Sequence, residues 1–369
     1  MISGLLLADV AISLHESSDC EVPCSFKEFV DTAMGSDAAG TAVAGASVAS
    51  NGCFLAFGLV HAGALLASAV PGFAGATPLA GVAAFAAAIA LCAATQTSKG
   101  LGAVTNAAAA VLFVAFAAML LPGAARVADP AGAFLAPGAD PAGLPAAAAA
   151  AAPLLLSALS YQNIVPSIAK LLDFDRTKTA CAIALGSFLP LLMYAAFSFV
   201  VLGGGLDGPA AGGPGAAAFA TFSAAALVGS SVAAVMSLAE ECESVLAGAA
   251  GSADDGDDDG EGCLVRDRFS LSSVALSIAP PTAVALACAN GGGHDLTGAL
   301  HFNGAFIAPL LYGVMPILLH QSIKSGTSDG ESGVSFSLPE VLLGAGTVGT
   351  LAQEVIQDMP NIDPMNWMA

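Results

Sequence analysis

Seven stretches of this chain run for at least 20 residues without one Asp, Glu, Lys or Arg: 38–98, 100–125, 141–169, 179–206, 208–239, 269–294 and 296–323. A helix crosses the hydrocarbon core of a bilayer in roughly 20 apolar residues. Inside lipid every backbone polar group must find its partner within the protein, which leaves helices or closed barrels. A barrel would show alternating segments of about 10 residues, and no such alternation is visible. Of the 369 residues, 56% are hydrophobic and 10% charged, with a mean hydropathy of +0.79. The fold class is therefore all-α, a polytopic transmembrane helical bundle forming a single domain over residues 1–369.

The expected spans are Gly40–Val70, Pro78–Thr95, Leu101–Pro122, Pro145–Lys170, Thr179–Gly203, Ala216–Leu246, Phe269–Cys288, Phe302–Ile323 and Leu338–Ile356, about nine, after a partial first one at Met1–Leu14. Glu340 and Glu354 near its ends make the last span the weakest. If successive loops alternate sides, Lys27, Lys99, Lys170, Arg176, Lys178, Arg266, Arg268 and Lys324 share one side and Arg126 alone lies opposite. Such a bias marks the cytoplasmic face. The net charge of −20 comes mostly from loops. With no basic patch, nucleic acid is not an expected partner. Residues 249–268 are expected to be a disordered acidic loop. Its Asp255, Asp257, Asp259 and Gly260 imitate a calcium loop, but Arg266 stands where the bidentate glutamate is required. The eight cysteines show no C-x-x-C spacing; Cys20 and Cys24 share a polar loop, the others read as small core or loop residues. No metal and no cofactor is expected.

The segment most informative about function is Pro145–Lys170, where Ser-Tyr-Gln-Asn-Ile-Val-Pro interrupts an apolar run. Pro166 has no N–H, so the carbonyl of Gln162 is expected to lose its helical partner, and Pro153 does the same to Ala149. A discontinuous span is the usual pointer to a transporter's binding site. Ser157 and Tyr161, four apart, share a face, and Ser160 and Asn163 form a second polar pair. A proline-kinked helix bonded to its neighbours is the plainer alternative. In Ala216–Leu246, Ser230 and Ser231 lie at mid-depth, facing a cavity or bonding back to their own helix. Glu240, Glu241 and Glu243 are expected at its solvated end. Asp9 and His61 are ionisable groups within apolar segments, hence candidates for coupling an ion. Pro280 and Pro281 read as a structural bend.

GLLLADV, SALSYQNIVPSIAKLL, the basic DFDRTKT loop, AIALGSFLPLLMYAAFSFVVLG and SLSSVALSIAPPTAVAL resemble, in that order, the tyrosine- and tryptophan-specific permeases. These are hydroxy and aromatic amino acid permeases within the amino acid/polyamine/organocation superfamily, and Tyr161-Gln162-Asn163-x-Val165-Pro166 looks most like plant and algal members. The resemblance runs through nearly the whole chain but is specific within Leu154–Gly203. It implies an inverted-repeat, leucine-transporter-like fold whose first and sixth spans are unwound at the substrate site, Pro145–Lys170 matching the sixth. It implies uptake of aromatic amino acids, typically with a proton. It implies substrate contacts from Ser157, Ser160, Tyr161, Gln162 and Asn163, with Asn51 and Ser230 joining from the third and eighth spans.

The match begins within the family's second span, so an N-terminally truncated fold is expected, with an incomplete gene model as its explanation. The expected function is secondary transport by alternating access, with an amino acid, a proton and the bilayer as partners, in a plasma membrane or plastid envelope. The chain is not expected to be an enzyme, since no G-x-S-x-G, H-E-x-x-H or P-loop pattern occurs. Two other readings stay open at this point: a non-transporting remnant or scaffold, and an intramembrane enzyme whose groups would converge at one depth.

Overall fold

A computed structural model of the protein describes residues 1–17, 25–69, 77–129, 144–204, 214–251, 268–290, 296–327 and 336–358. Cys20, Cys24 and most of the acidic loop lie outside the described residues. The helices are α1 (Ile2–Ser17), α2 (Phe26–Met34), α3 (Asp37–Ala69), α4 (Pro78–Thr95), α5 (Ser98–Ala124), α6 (Leu144–Ala158), α7 (Val165–Leu171), α8 (Arg176–Leu202), α9 (Pro214–Gly251), α10 (Leu271–Asn290), α11 (Thr297–Phe302), α12 (Met315–Thr327) and α13 (Leu338–Asp358). Helix α9 continues to Gly251, so residues 249–251, expected in the acidic loop, are helical. No strand occurs among the described residues.

Local chemistry sets the boundaries. Helix α2 opens with a capping box: the Glu28 amide donates to Ser25 Oγ at 3.1 Å and the Ser25 amide to Glu28 Oε2 at 3.4 Å. It closes at Gly35, whose φ of 64° suits glycine. Thr77 and Thr97 cap α4 and α5, and Asp175 caps α8 by accepting from the amides of Thr177 and Lys178. Between α11 and α12 the chain runs as two π-turns, Asn303–Ile307 and Leu310–Val314, on either side of Pro309. Proline removes a donor from the i to i−4 ladder, and π-turns absorb the loss.

Seven helical stretches are long and apolar enough to cross a bilayer: Asp37–Ser68, Pro78–Thr95, Lys99–Ala124, Arg176–Leu202, Gly215–Leu246, Leu271–Asn290 and Thr297–Lys324. Each overlaps an expected span. The expected Pro145–Lys170 span is split between α6 and α7, and α13 contributes a shorter apolar stretch, Leu338–Ala352.

The buried apolar side chains fall into two groups. One joins Leu7, Val10 and Ala11 of α1, Phe26, Phe29 and Val30 of α2, Val165 and Ala169 of α7, Ile183 of α8 and the Ala308–Leu319 region, with Val43 of α3 and its neighbours Ala39 and Ala46 against it. The other joins Leu55 and Leu59 of α3 to Val82, Ala86 and Ile89 of α4, Leu101 of α5, Val232, Val235 and Leu238 of α9, and Val274 and Ile278 of α10. Helix α3 thus spans both. In lipid, helices associate through close packing and polar contacts, and small residues permit the approach. Gly63 and Gly81 do so between α3 and α4: a Cβ on Gly81 would stand 2.5 Å from the Gly63 carbonyl oxygen.

Candidate functional site at the broken helix

Helix α6 stops at Ala158, and Leu159, Ser160 and Tyr161 follow as non-helical chain. A turn of 3₁₀ helix, Gln162–Ile164, then leads into α7 with Pro166 in its first turn. The break expected from the sequence is there, but the expected free carbonyl is a different one. The Val165 amide takes the Gln162 carbonyl, because the 3₁₀ turn moves its bond one residue ahead of the proline. Among the described residues no backbone N–H reaches the carbonyls of Leu159 and Ser160.

Each polar side chain of the segment has a distinct setting. Ser157 is buried and its Oγ accepts from Asn303 Nδ2 at 2.9 Å, tying the end of α6 to the first π-turn. The same contact brings Gly304 against the Pro153 backbone. Ser160 Oγ donates back to the Leu156 carbonyl at 2.9 Å. Tyr161 is half-buried; its Oη accepts from Ser187 Oγ at 2.8 Å, and its ring lies over Gly4 of α1. Gln162 Oε1 accepts from the Tyr161 amide at 2.8 Å, so this side chain stabilises the break itself. Asn163 and Ser50 both stand within hydrogen-bonding reach of the Tyr312 hydroxyl, and Asn163 Oδ1 is buried without a hydrogen bond. Asn303 Oδ1 shares that condition. A buried polar atom without a partner costs about 1–3 kcal/mol, so such atoms gathered around a broken helix suit a place where a polar guest supplies the missing bonds.

A second polar region lies one helical turn below. The Phe26 amide, first in α2, donates to Glu241 Oε1 at 2.8 Å, and Ser167 Oγ stands 3.5 Å from Glu240 Oε1. Glu243 accepts from the Ser270 amide at 2.7 Å. These glutamates were expected at a solvated helix end. Instead Glu241 is 2% exposed, because the unpaired amides at the start of α2 face it. Asn51 Nδ2 donates to the Ser47 carbonyl at 3.1 Å and approaches Ser237 Oγ at 3.4 Å, linking α3 to α9.

The remaining candidates stand apart from the break. Ser230 is exposed and bonds back to the Leu227 carbonyl, while its neighbour Ser231 is buried with an unpartnered Oγ. His61 is exposed, its ring 4.0 Å from that of Phe57 and its Nδ1 3.0 Å from the Phe57 carbonyl oxygen. Asp9 pairs with Arg176 at 3.2 Å and with His320 Nε2 at 3.2 Å. His320 Nδ1 meets buried Glu340 at 2.8 Å, and Lys324 lies 3.9 Å from the same carboxylate. Arg176 and Lys324 are thereby linked through Asp9, His320 and Glu340.

The family model of the tryptophan/tyrosine permeases matches residues 1–206, more than half of the 369. The chain belongs to the tryptophan/tyrosine permease family. It is an all-α, multi-pass integral membrane protein and a transporter of aromatic amino acids as a class. No curated protein sequence matches it. The matched part of the permease contains the whole break and α8, which carries the serine that fixes Tyr161.

Sequence reasoning missed three contributors. Asn303 had a signal, as the sole asparagine of the charge-free stretch 296–323. Tyr312 had a weaker one, as a hydroxyl in an apolar run. The inward turn of Glu241 had none, since its partner amide is 215 positions away along the chain.

Proposed function

We propose that the permease carries tyrosine or tryptophan by alternating access, coupled to a proton gradient, with the substrate seated at Leu159–Asn163. The break in the α6–α7 span is the observation that carries this reading. The substrate ammonium would meet the open carbonyls of Leu159 and Ser160, a favourable ion–dipole arrangement in low dielectric. The half-buried Tyr161 ring, held through Ser187, would flank the aromatic side chain. Asn163 Oδ1 would take a donor from the substrate. Gln162 and Ser157 would shape the site rather than touch the guest, since both are engaged within the protein. Asn51 would hold α3 to α9, and Ser230 stands lowest among the candidate contacts.

Two apolar groupings, joined through the shared helix α3, support the rocking motion. Bodies that each keep their own packing can move relative to one another without exposing either interior. Helix α7 belongs to one grouping and α9 to the other, so the break lies where they meet.

Uptake of radiolabelled tyrosine and tryptophan by the full-length protein in vesicles, with and without a pH gradient, tests the reading. Tyr161→Ala and Asn163→Ala are expected to abolish uptake while leaving membrane insertion intact. Unchanged uptake in both variants removes the binding-site assignment. Accumulation that ignores the pH gradient removes the proton.

A further inference from the structure

The acid pair Glu240–Glu241 joins the two apolar groupings at a point neither candidate coupling residue reaches. Both glutamates belong to α9, which packs with α3, α4, α5 and α10. Their polar contacts go to the other grouping: Glu241 to the first amide of α2, Glu240 to Ser167 of α7, one turn after Asn163. Glu241 is 2% exposed, and its Oε2 is buried with no hydrogen bond. The Lys27 amide and the Ser47 hydroxyl lie beside the carboxylate, and Tyr312 is near enough to feel its charge.

Charges of both signs stand near the pair. Glu28 of α2 faces both glutamates, and Lys170 of α7 faces Glu240. The Lys27 ammonium turns away to Asp31 at 2.6 Å and Asp37 at 2.7 Å. Helices α4 and α10 contain no charged residue, and α5 has only Lys99. On α3 the titratable side chains are Asp37, held by Lys27, and His61 and Cys53, for which no contact with the pair occurs among the described residues.

We infer that Glu240 and Glu241 form the proton-binding site of the permease, with Glu241 Oε2 as the atom that takes the proton. This deepens the proton-coupled reading above and rests on it for the role in transport. A proton there converts one carboxylate to a carboxylic acid and nothing else changes in the balance. It makes Oε2 a donor, with the Ser47 hydroxyl beside the carboxylate as its acceptor, and leaves Oε1 to keep the Phe26 amide. It also weakens an ionic contact to a neutral one, since a charged acceptor holds a donor about twice as strongly. Loading and unloading the proton thus changes how firmly α9 holds α2 and α7, next to the break. Ionisable groups within membrane segments mark proton pathways for this reason.

Two measurements test the site. Infrared difference spectroscopy of the purified protein, stepped from alkaline to acidic pH, follows the carbonyl stretch of a protonated carboxyl. The Glu241→Gln variant is expected to lose a band that the wild type shows, and Glu240→Gln to shift it. In vesicles, protons taken up per tyrosine moved are expected to fall in both variants, and the gain in tyrosine affinity on acidification to fall by about tenfold, the scale of typical coupling between two ligands. Should Glu241→Gln fold poorly by size exclusion, Glu240→Gln, altering the partly exposed member, carries the test. An unchanged band and an unchanged proton ratio overturn the inference, as does wild-type uptake that follows a sodium gradient. A wild type that takes up neither amino acid counts against the transport reading, and the infrared band then decides the proton site alone.

Discussion

Gly304→Ala is a local test of how the broken span is held. Gly304 sits in the first π-turn with its Cα against Pro153 of α6, and an added Cβ would stand 2.5 Å from the Pro153 carbonyl carbon. The obstacle is backbone, so no rotamer relieves it. Restoring ordinary contact requires α6 and the π-turn to part by roughly 1 Å or more, and overpacking of this kind costs about 1–3 kcal/mol. The neighbouring bond from Asn303 to Ser157, 2.9 Å long, would stretch with it. An interhelical hydrogen bond in a membrane protein contributes about 0.6 kcal/mol and at most roughly 1.7. The sum is about 2–4 kcal/mol, a fall of several degrees in the melting midpoint. The assay is thermal unfolding in detergent beside tyrosine uptake, with Gly45→Ala as the control because nothing lies within 4 Å of a Cβ there. A variant as stable and as active as Gly45→Ala would refute the claim that this contact positions α6.

The cluster at the far end offers a second test. Glu340 is 1% exposed and accepts from Ser337 Oγ at 2.6 Å, Gln321 Nε2 at 2.7 Å and His320 Nδ1 at 2.8 Å. Glu340→Ala strands those donors and should cost roughly 3 kcal/mol, read as detergent melting, with Glu340→Gln losing less. Lys27 provides a pH test. Its hydrogen bonds to Asp31 and Asp37 hold its pKa above the ordinary lysine value. A raised folded pKa gives stability that is complete below the unfolded value of about 10.4 and fades as pH climbs through the folded one. The melting difference between wild type and Lys27→Met should therefore stay constant through neutral pH and shrink in strong alkali. A difference that persists unchanged in strong alkali would remove the lysine charge as its source.

The spans were legible because charge-free runs of this length leave a chain few choices in lipid. The break was legible too, since Pro166 lacks a donor and Ser160 to Asn163 are poor company for hydrocarbon. The position of its open carbonyls was not, because a 3₁₀ turn and a side-chain bond from Gln162 redistributed the backbone pairing. Nor was the partner of the Tyr161 hydroxyl, which accepts from Ser187, 26 positions along.

Composition and spacing by themselves determined that the chain is a helical membrane bundle with one discontinuous span, because those outcomes follow from the solvent and from single residues. Which polar groups meet was decided by the tertiary structure alone. The Glu241 contact with the start of α2, the Asn303 bond to Ser157 and the pairing of Asp9 with His320 each join residues far apart in sequence. Such pairs depend on how helices cross in space, which no local pattern encodes.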